Sequence, residues 1–112
     1  MKKFLLIGIL SLTLTSCAVR EAKPFDQFAR CLTDKGAVMY GAVTCPHCTD
    51  QKNDFKGSFD LVTYVECSTN AAKCSEDGIT AYPSWIIDGE KIEGKKSLSS
   101  LAELSGCSLV QE

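Results

Sequence analysis

The chain of 112 residues lacks an apolar run long enough to cross a bilayer as a helix. Its longest apolar stretch, Phe4 to Leu14, is eleven residues, against the ~20 that a span needs. It also lacks a surplus of positive charge. Lys and Arg number 12 against 14 Asp and Glu, a formal net charge of −2. That excludes a polybasic surface for nucleic acid or anionic lipid. Internal repeats and low-complexity segments are missing too, and the length suits one domain. A domain this small has a limited core, so cross-links would help it.

What is present begins with Lys2-Lys3, the apolar stretch, and then Leu14-Thr15-Ser16-Cys17. A basic start and a short apolar region read as a secretory signal peptide over residues 1–16. The aliphatic, small, small, Cys order is similar to a bacterial lipobox, which implies cleavage before Cys17 and its acylation (diacylglycerol and palmitate). Removing residues 1–16 leaves 10 basic against 14 acidic residues. Residues 17–23 read as a lipidated polar tether and residues 24–112 as the folded domain. Ala18 is not the Asp that retains many lipoproteins at an inner membrane, which favours the outer one.

Seven cysteines are an odd number for a secreted chain. Setting aside Cys17 leaves Cys31, Cys45, Cys48, Cys67, Cys74 and Cys107. Six thiols make three pairs, which agrees with an oxidising compartment.

Pro24 opens a helical pattern, with Phe25, Phe28, Ala29 and Leu32 at i, i+3, i+4, i+7 and Gly36 as a stop. Ala37 to Ala42 reads as a buried strand. Cys45 to Phe55 reads as a helix, with Pro46 in the first turn, where a missing N–H costs nothing. Gly57-Ser58 marks a turn, Leu61 to Cys67 a second strand, and Ala71 to Glu76 a short helix. Ser84 to Ile87 and Lys91 to Glu93 flank Asp88-Gly89, a hairpin turn signal. Ser97 caps a last helix that Gly106 ends.

The chemistry concentrates at Cys45-Pro46-His47-Cys48. The spacing lets two thiols close a small disulfide ring. A thiolate, not a thiol, attacks a disulfide, and a free thiol near pKa ~8.5 is mostly protonated at neutral pH. A helix start offers Cys45 unpaired N–H groups and a positive dipole end. His47 adds a possible charge or hydrogen bond. Cys48, one turn in, is expected to be the more buried and to resolve a mixed disulfide formed at Cys45. A purely structural bridge here would close little loop and stabilise little. A metal site of Cys45, His47 and Cys48 with Cys67 or Cys74 is the alternative from another class.

These residues, with Phe28 to Leu32, Gly36 to Ala42, Tyr64 to Cys67, Cys74, Gly78 to Trp85 and Leu101 to Cys107, carry a resemblance. The chain resembles the thioredoxin-like domain fused to bacterial and plant homologues of vitamin K epoxide reductase. The resemblance covers almost all of residues 25–107. It implies a thioredoxin-like α/β fold, with a central mixed sheet of about four strands flanked by helices. It implies a protein disulfide oxidoreductase that exchanges disulfides with a four-helix membrane domain and with secreted substrates. It also implies a cis Pro83 facing Cys45, and a substrate groove that includes Pro46, Tyr82 and Trp85; read from the residues alone, Trp85 and Tyr82 could instead be core. The membrane domain is not in this sequence, so the membrane redox partner is expected to be a separate protein of that type. Thr44 stands where these domains commonly carry Trp. Met39 stands where thioredoxins and DsbA carry a buried carboxylate six residues before the first Cys.

Cys67 and Cys74, seven apart, read as a local structural bridge, with a second redox pair as the sharper alternative. Cys31 and Cys107 then remain, closing a loop of about 77 residues. Six cysteines allow fifteen pairings, so the sequence alone leaves connectivity open. The expected function is oxidation of secreted or periplasmic thiol proteins in the bacterial envelope, on the periplasm-facing side. No metal or organic cofactor is expected. The alternatives are a reductase or isomerase using the same pair, or a non-catalytic metal-binding or redox-sensing lipoprotein.

Overall fold

The computed structural model describes Gly8 and residues 20–110. Cys17 and, Gly8 apart, the expected leader lie outside them. Helix α1 (Asp26–Asp34) comes first, followed by strand β1 (Val38–Gly41) and helix α2 (Pro46–Asp54). A 3-10 turn (Ser58–Leu61), β2 (Thr63–Glu66) and α3 (Ala71–Glu76) follow. The hairpin β3 (Ser84–Ile87) and β4 (Glu90–Glu93) leads to α4 (Leu98–Ser105). The second strand is shorter than expected, because Leu61 closes the 3-10 turn instead of opening β2. That turn starts at Gly57, whose φ of 91° lies in the region that glycine favours.

The four strands form one mixed sheet in the order β2-β1-β3-β4. β1 runs parallel to β2, with Gly41 opposite Glu66. β3 is antiparallel to both β1 and β4. Asp88 and Gly89, at φ 53° and 79°, make the hairpin turn with two left-handed residues, as a tight two-residue loop requires. A helix-linked parallel pair followed by an antiparallel hairpin is the thioredoxin-like α/β fold.

Alternation along the strands divides the interior in two. Met39, Trp85 and Ile87 join the larger cluster with Phe28, Leu32 and Leu101. Tyr40 joins a smaller one with Cys67, Cys74 and Ile79. Two bridges close the frame. Cys31 of α1 is bonded to Cys107 after α4, and Cys67 after β2 is bonded to Cys74 of α3. At the end of the fold, the Ser97 hydroxyl accepts the Ser100 N–H at 3.1 Å, and Gly106 terminates α4 at φ 75°.

Candidate active site

α2 is polar almost throughout and buries only Cys48 and Gln51. It is therefore placed by a few specific contacts and not by an apolar stripe. Cys45 is its N-cap and Pro46 its first residue. The Cys45 N–H donates to the Ala42 carbonyl at 3.0 Å, and the Cys45 carbonyl accepts the Thr49 N–H at 3.2 Å. The two thiols are free, Cys45 half-buried and Cys48 1 % exposed.

One sulfur thus meets solvent while its partner is sealed beneath it. The Cys45 thiol points at the Tyr82 carbonyl, 3.7 Å from sulfur to oxygen. The Tyr82–Pro83 peptide is cis. Pro83 is buried, whereas Tyr82 is exposed, as are Val43, Thr44, Pro46 and His47 on the same rim. The Cys48 thiol is pushed up to about 11. Burial is the main cause and the hydrogen bond with Cys45 adds to it; a backbone hydrogen bond at Ala42 and the charge of Lys52 oppose it. Met39 is wholly buried in the apolar cluster beneath. Chemically, the arrangement offers an accessible nucleophile and a protonated, buried second thiol that can displace whatever the first one binds.

The chain is similar to a thiol-disulfide oxidoreductase. That relative is the thiol-disulfide oxidoreductase LTO1 of Arabidopsis thaliana, 37% identical over an alignment of 92 residues that covers 74% of this chain. The chain spans only 24% of that relative's length. No family model matches it. Among solved structures, a thioredoxin of Fasciola hepatica aligns with TM-score 0.48 and 15% identity, covering 69% of this chain and 88% of its own. A glutaredoxin of Archaeoglobus fulgidus aligns with TM-score 0.41 and 21% identity, covering 76% and 95%.

The expected groove needs one correction. Trp85 is 0% exposed and lines no groove. Its place on β3 turns it into the core, where its indole N–H donates to Gln51 Oε1 at 3.1 Å. Gln51 Oε1 also accepts the Lys96 N–H at 2.8 Å, and its amide donates to the Lys96 carbonyl at 2.9 Å. This buried amide, bonded three times, ties α2 to β3 and to the segment before α4, one turn beyond Cys48. Sequence reading passed over it. The available signal was a residue at i+3 from Cys48, on the same helix face.

Gly41 was also passed over as a site residue. A Cβ there would sit 2.9 Å from Cys48 Sγ and 3.2 Å from the Tyr64 ring and hydroxyl. The end of β1 is bare so that sulfur and phenol can close over it. The expected metal alternative fares differently. It needs Cys67 or Cys74 as a further ligand, and those two sulfurs are bonded to each other.

Proposed function

We propose that the chain is a thiol-disulfide oxidoreductase that oxidises thiols of secreted proteins. The observation that carries this reading is the asymmetry of the free pair: Cys45 accessible at the helix N-cap, Cys48 sealed beneath it. In the oxidised protein, a substrate thiolate attacks Cys45 Sγ. The Cys45–Cys48 bond breaks, and Cys48 leaves and takes up a proton. A second substrate thiol then displaces Cys45, leaving a substrate disulfide and a reduced pair. To recycle, Cys45 attacks a disulfide of a membrane redox partner and Cys48 resolves the mixed disulfide. The resemblance to domains fused to vitamin K epoxide reductase homologues supports a membrane redox partner of that type.

One feature favours the oxidising direction. The Pro46-His47 dipeptide is that of DsbA, a strong oxidant whose reduced form is stabilised. Cys17, lipidated, would hold the domain in the bacterial envelope, facing the periplasm and most simply at the outer membrane.

Equilibration with glutathione buffers, read by thiol alkylation, tests the direction. A potential well above about −200 mV is expected, and one near the thioredoxin value of about −270 mV would overturn the oxidant in favour of a reductase. Roles are tested by trapping. Cys48→Ala accumulates mixed disulfides with substrates and Cys45→Ala does not; the reverse pattern refutes the assignment. Cys17→Ser is expected to move the protein from membranes to the soluble fraction, and an unchanged membrane fraction counts against the anchor.

A further inference from the structure

A buried thiol that must resolve a mixed disulfide has to lose its proton. Cys48 is 1 % exposed, so water does not reach it freely. In the reduced protein Cys45 is its hydrogen-bonding neighbour. Once Cys45 carries a partner, that sulfur no longer takes a proton and the partner covers it. The backbone contact at Ala42 favours the thiolate and so acts as a donor, not an acceptor. The position of a thioredoxin carboxylate is filled by buried Met39.

A polar path nevertheless leads from Cys48 to the surface across the bare end of β1. The Cβ position of Gly41 lies 2.9 Å from Cys48 Sγ and 3.2 Å from the Tyr64 hydroxyl. The two groups are therefore at most about 6 Å apart, a gap that one water bridges. The Tyr64 hydroxyl donates to Glu66 Oε1 at 2.8 Å, which leaves its oxygen lone pairs for another donor. Glu66 Oε2 accepts from the exposed Ser68, at 2.6 Å from the hydroxyl and 3.1 Å from the N–H. Lys52, one turn beyond Cys48 on α2, places its ammonium 3.8 Å from the centre of the Tyr64 ring. Cys45, Lys52, Tyr64 and Glu66 are thus the titratable groups around the buried thiol.

We propose that Tyr64 and Glu66 form the proton relay of Cys48, in place of the buried carboxylate that this fold commonly uses. The proposal rests on the oxidoreductase reading of the pair. In resolution, Cys48 Sγ gives its proton through one bridging water to the Tyr64 hydroxyl, Tyr64 passes its own to Glu66, and Glu66 releases it to solvent. Cys48 Sγ forms a bond to Cys45 Sγ as the Cys45–partner bond breaks, and the electron pair leaves on the partner sulfur. When substrate opens the disulfide, the relay runs backwards and reprotonates Cys48. The charge states suit this. Burial pushes Tyr64 upward and Glu66 adds to it, so the phenol keeps its proton at rest. Burial opposes ionisation of Glu66, but hydrogen bonds from Ser68, Tyr64 and the Val43 backbone outweigh it and keep the carboxylate ionised. Lys52 offsets the charge of the transient thiolate.

The test is stopped-flow mixing of the reduced protein with a chromogenic aryl disulfide. The first coloured thiolate is released when Cys45 attacks, and the second when Cys48 resolves. Tyr64→Phe and Glu66→Gln keep the shape of each side chain. Each is expected to leave the first phase unchanged and to slow the second by at least about tenfold at neutral pH. The deficit should shrink as pH rises and hydroxide takes over. Tyr40→Phe, in the other buried cluster, should change neither phase. A second phase as fast as wild type in both variants overturns the relay. So does a slowdown that is equal at every pH, which marks a packing role. Absence of the first phase in the wild-type protein instead sinks the oxidoreductase reading itself.

Discussion

Two cysteine pairs flank the end of β1, and they have opposite fates. Cys48 packs its sulfur on Gly41, while the Cys67 N–H donates to the Gly41 carbonyl at 2.8 Å. Each pair has a tyrosine–carboxylate hydrogen bond beside it, Tyr64 with Glu66 and Tyr40 with Asp77 at 2.7 Å. Cys67 and Cys74 are bonded and both buried, 3% and 2% exposed. Cys45 and Cys48 are free, with one sulfur at the surface. The difference shows that a thiol's neighbours do not by themselves make it a redox centre. What separates the pairs is access. Exchange requires a sulfur that an outside sulfur can reach in line, and only Cys45 offers it among these four.

The strongest way to break this contrast is to remove the bridges. Cys31→Ser with Cys107→Ser opens a link between residues 76 apart, and should cost about 4.5 kcal/mol in the chain-entropy account. Cys67→Ser with Cys74→Ser opens a link between residues seven apart, and should cost about 2.5 kcal/mol by the same account. Denaturant unfolding measures both. Neither double variant should change the potential of Cys45–Cys48 appreciably. A large change on losing Cys67–Cys74 would mean that the second pair also exchanges electrons, and the contrast would fail.

Gly41 sharpens it next, because it touches both pairs. Gly41→Ala drives a methyl to 2.9 Å from Cys48 Sγ and 3.2 Å from Tyr64. Overpacking of this kind costs about 1–3 kcal/mol. Displacement of the Cys48 sulfur should slow its attack on Cys45 while the Cys67–Cys74 bridge stays intact by peptide mapping. A variant with wild-type stability and kinetics would show that the sulfur has room to move.

Much of this was legible from residue types at special backbone positions. Pro46 announced the start of α2, Asp88-Gly89 the hairpin, and Ser97 and Gly106 the two ends of α4. Each of those residues answers a local constraint, so one sequence suffices to read it. Cys45 and Cys48 were legible for the same reason: the helix start places one outside and one inside. The remainder depends on what arrives from elsewhere in the chain. Leu61 is apolar enough for a strand, but Gly57 sends the chain into a 3-10 turn that uses it up. Trp85 was placed in the groove by the resemblance, yet β3 is covered on both faces and buries it. Gln51 looks like any solvated helix residue until the Trp85 indole and the Lys96 backbone are placed against it. Tyr64 and Glu66 lay within a quoted stretch but had no role there, because their nearness to Cys48 passes through a glycine on a neighbouring strand.

The smallest effect is expected at the other tyrosine, and its pH dependence separates it from Tyr64. Tyr40 is 4% exposed, and its hydroxyl is pushed up to about 12, by burial first and by the Asp77 carboxylate second. Asp77 is held below its usual range by the Tyr40 hydroxyl first and then by Lys73, whose ammonium is 2.9 Å away. A tyrosine whose folded value is raised stabilises the fold below its unfolded value near 10, and that contribution fades as pH climbs toward about 12. The depressed carboxylate works at the other end: its contribution is present above the ordinary range and fades in acid. Tyr40→Phe should therefore cost about 1 kcal/mol at neutral pH, the loss of one hydrogen bond whose acceptor keeps Lys73. The gap between variant and wild type should narrow as the pH passes 10 toward about 12, where the wild-type phenol ionises. Thermal unfolding across that window reads it. A gap that stays constant into that alkaline range would show that folding does not hold back ionisation of the Tyr40 hydroxyl, against the burial and Asp77 contact that raise it.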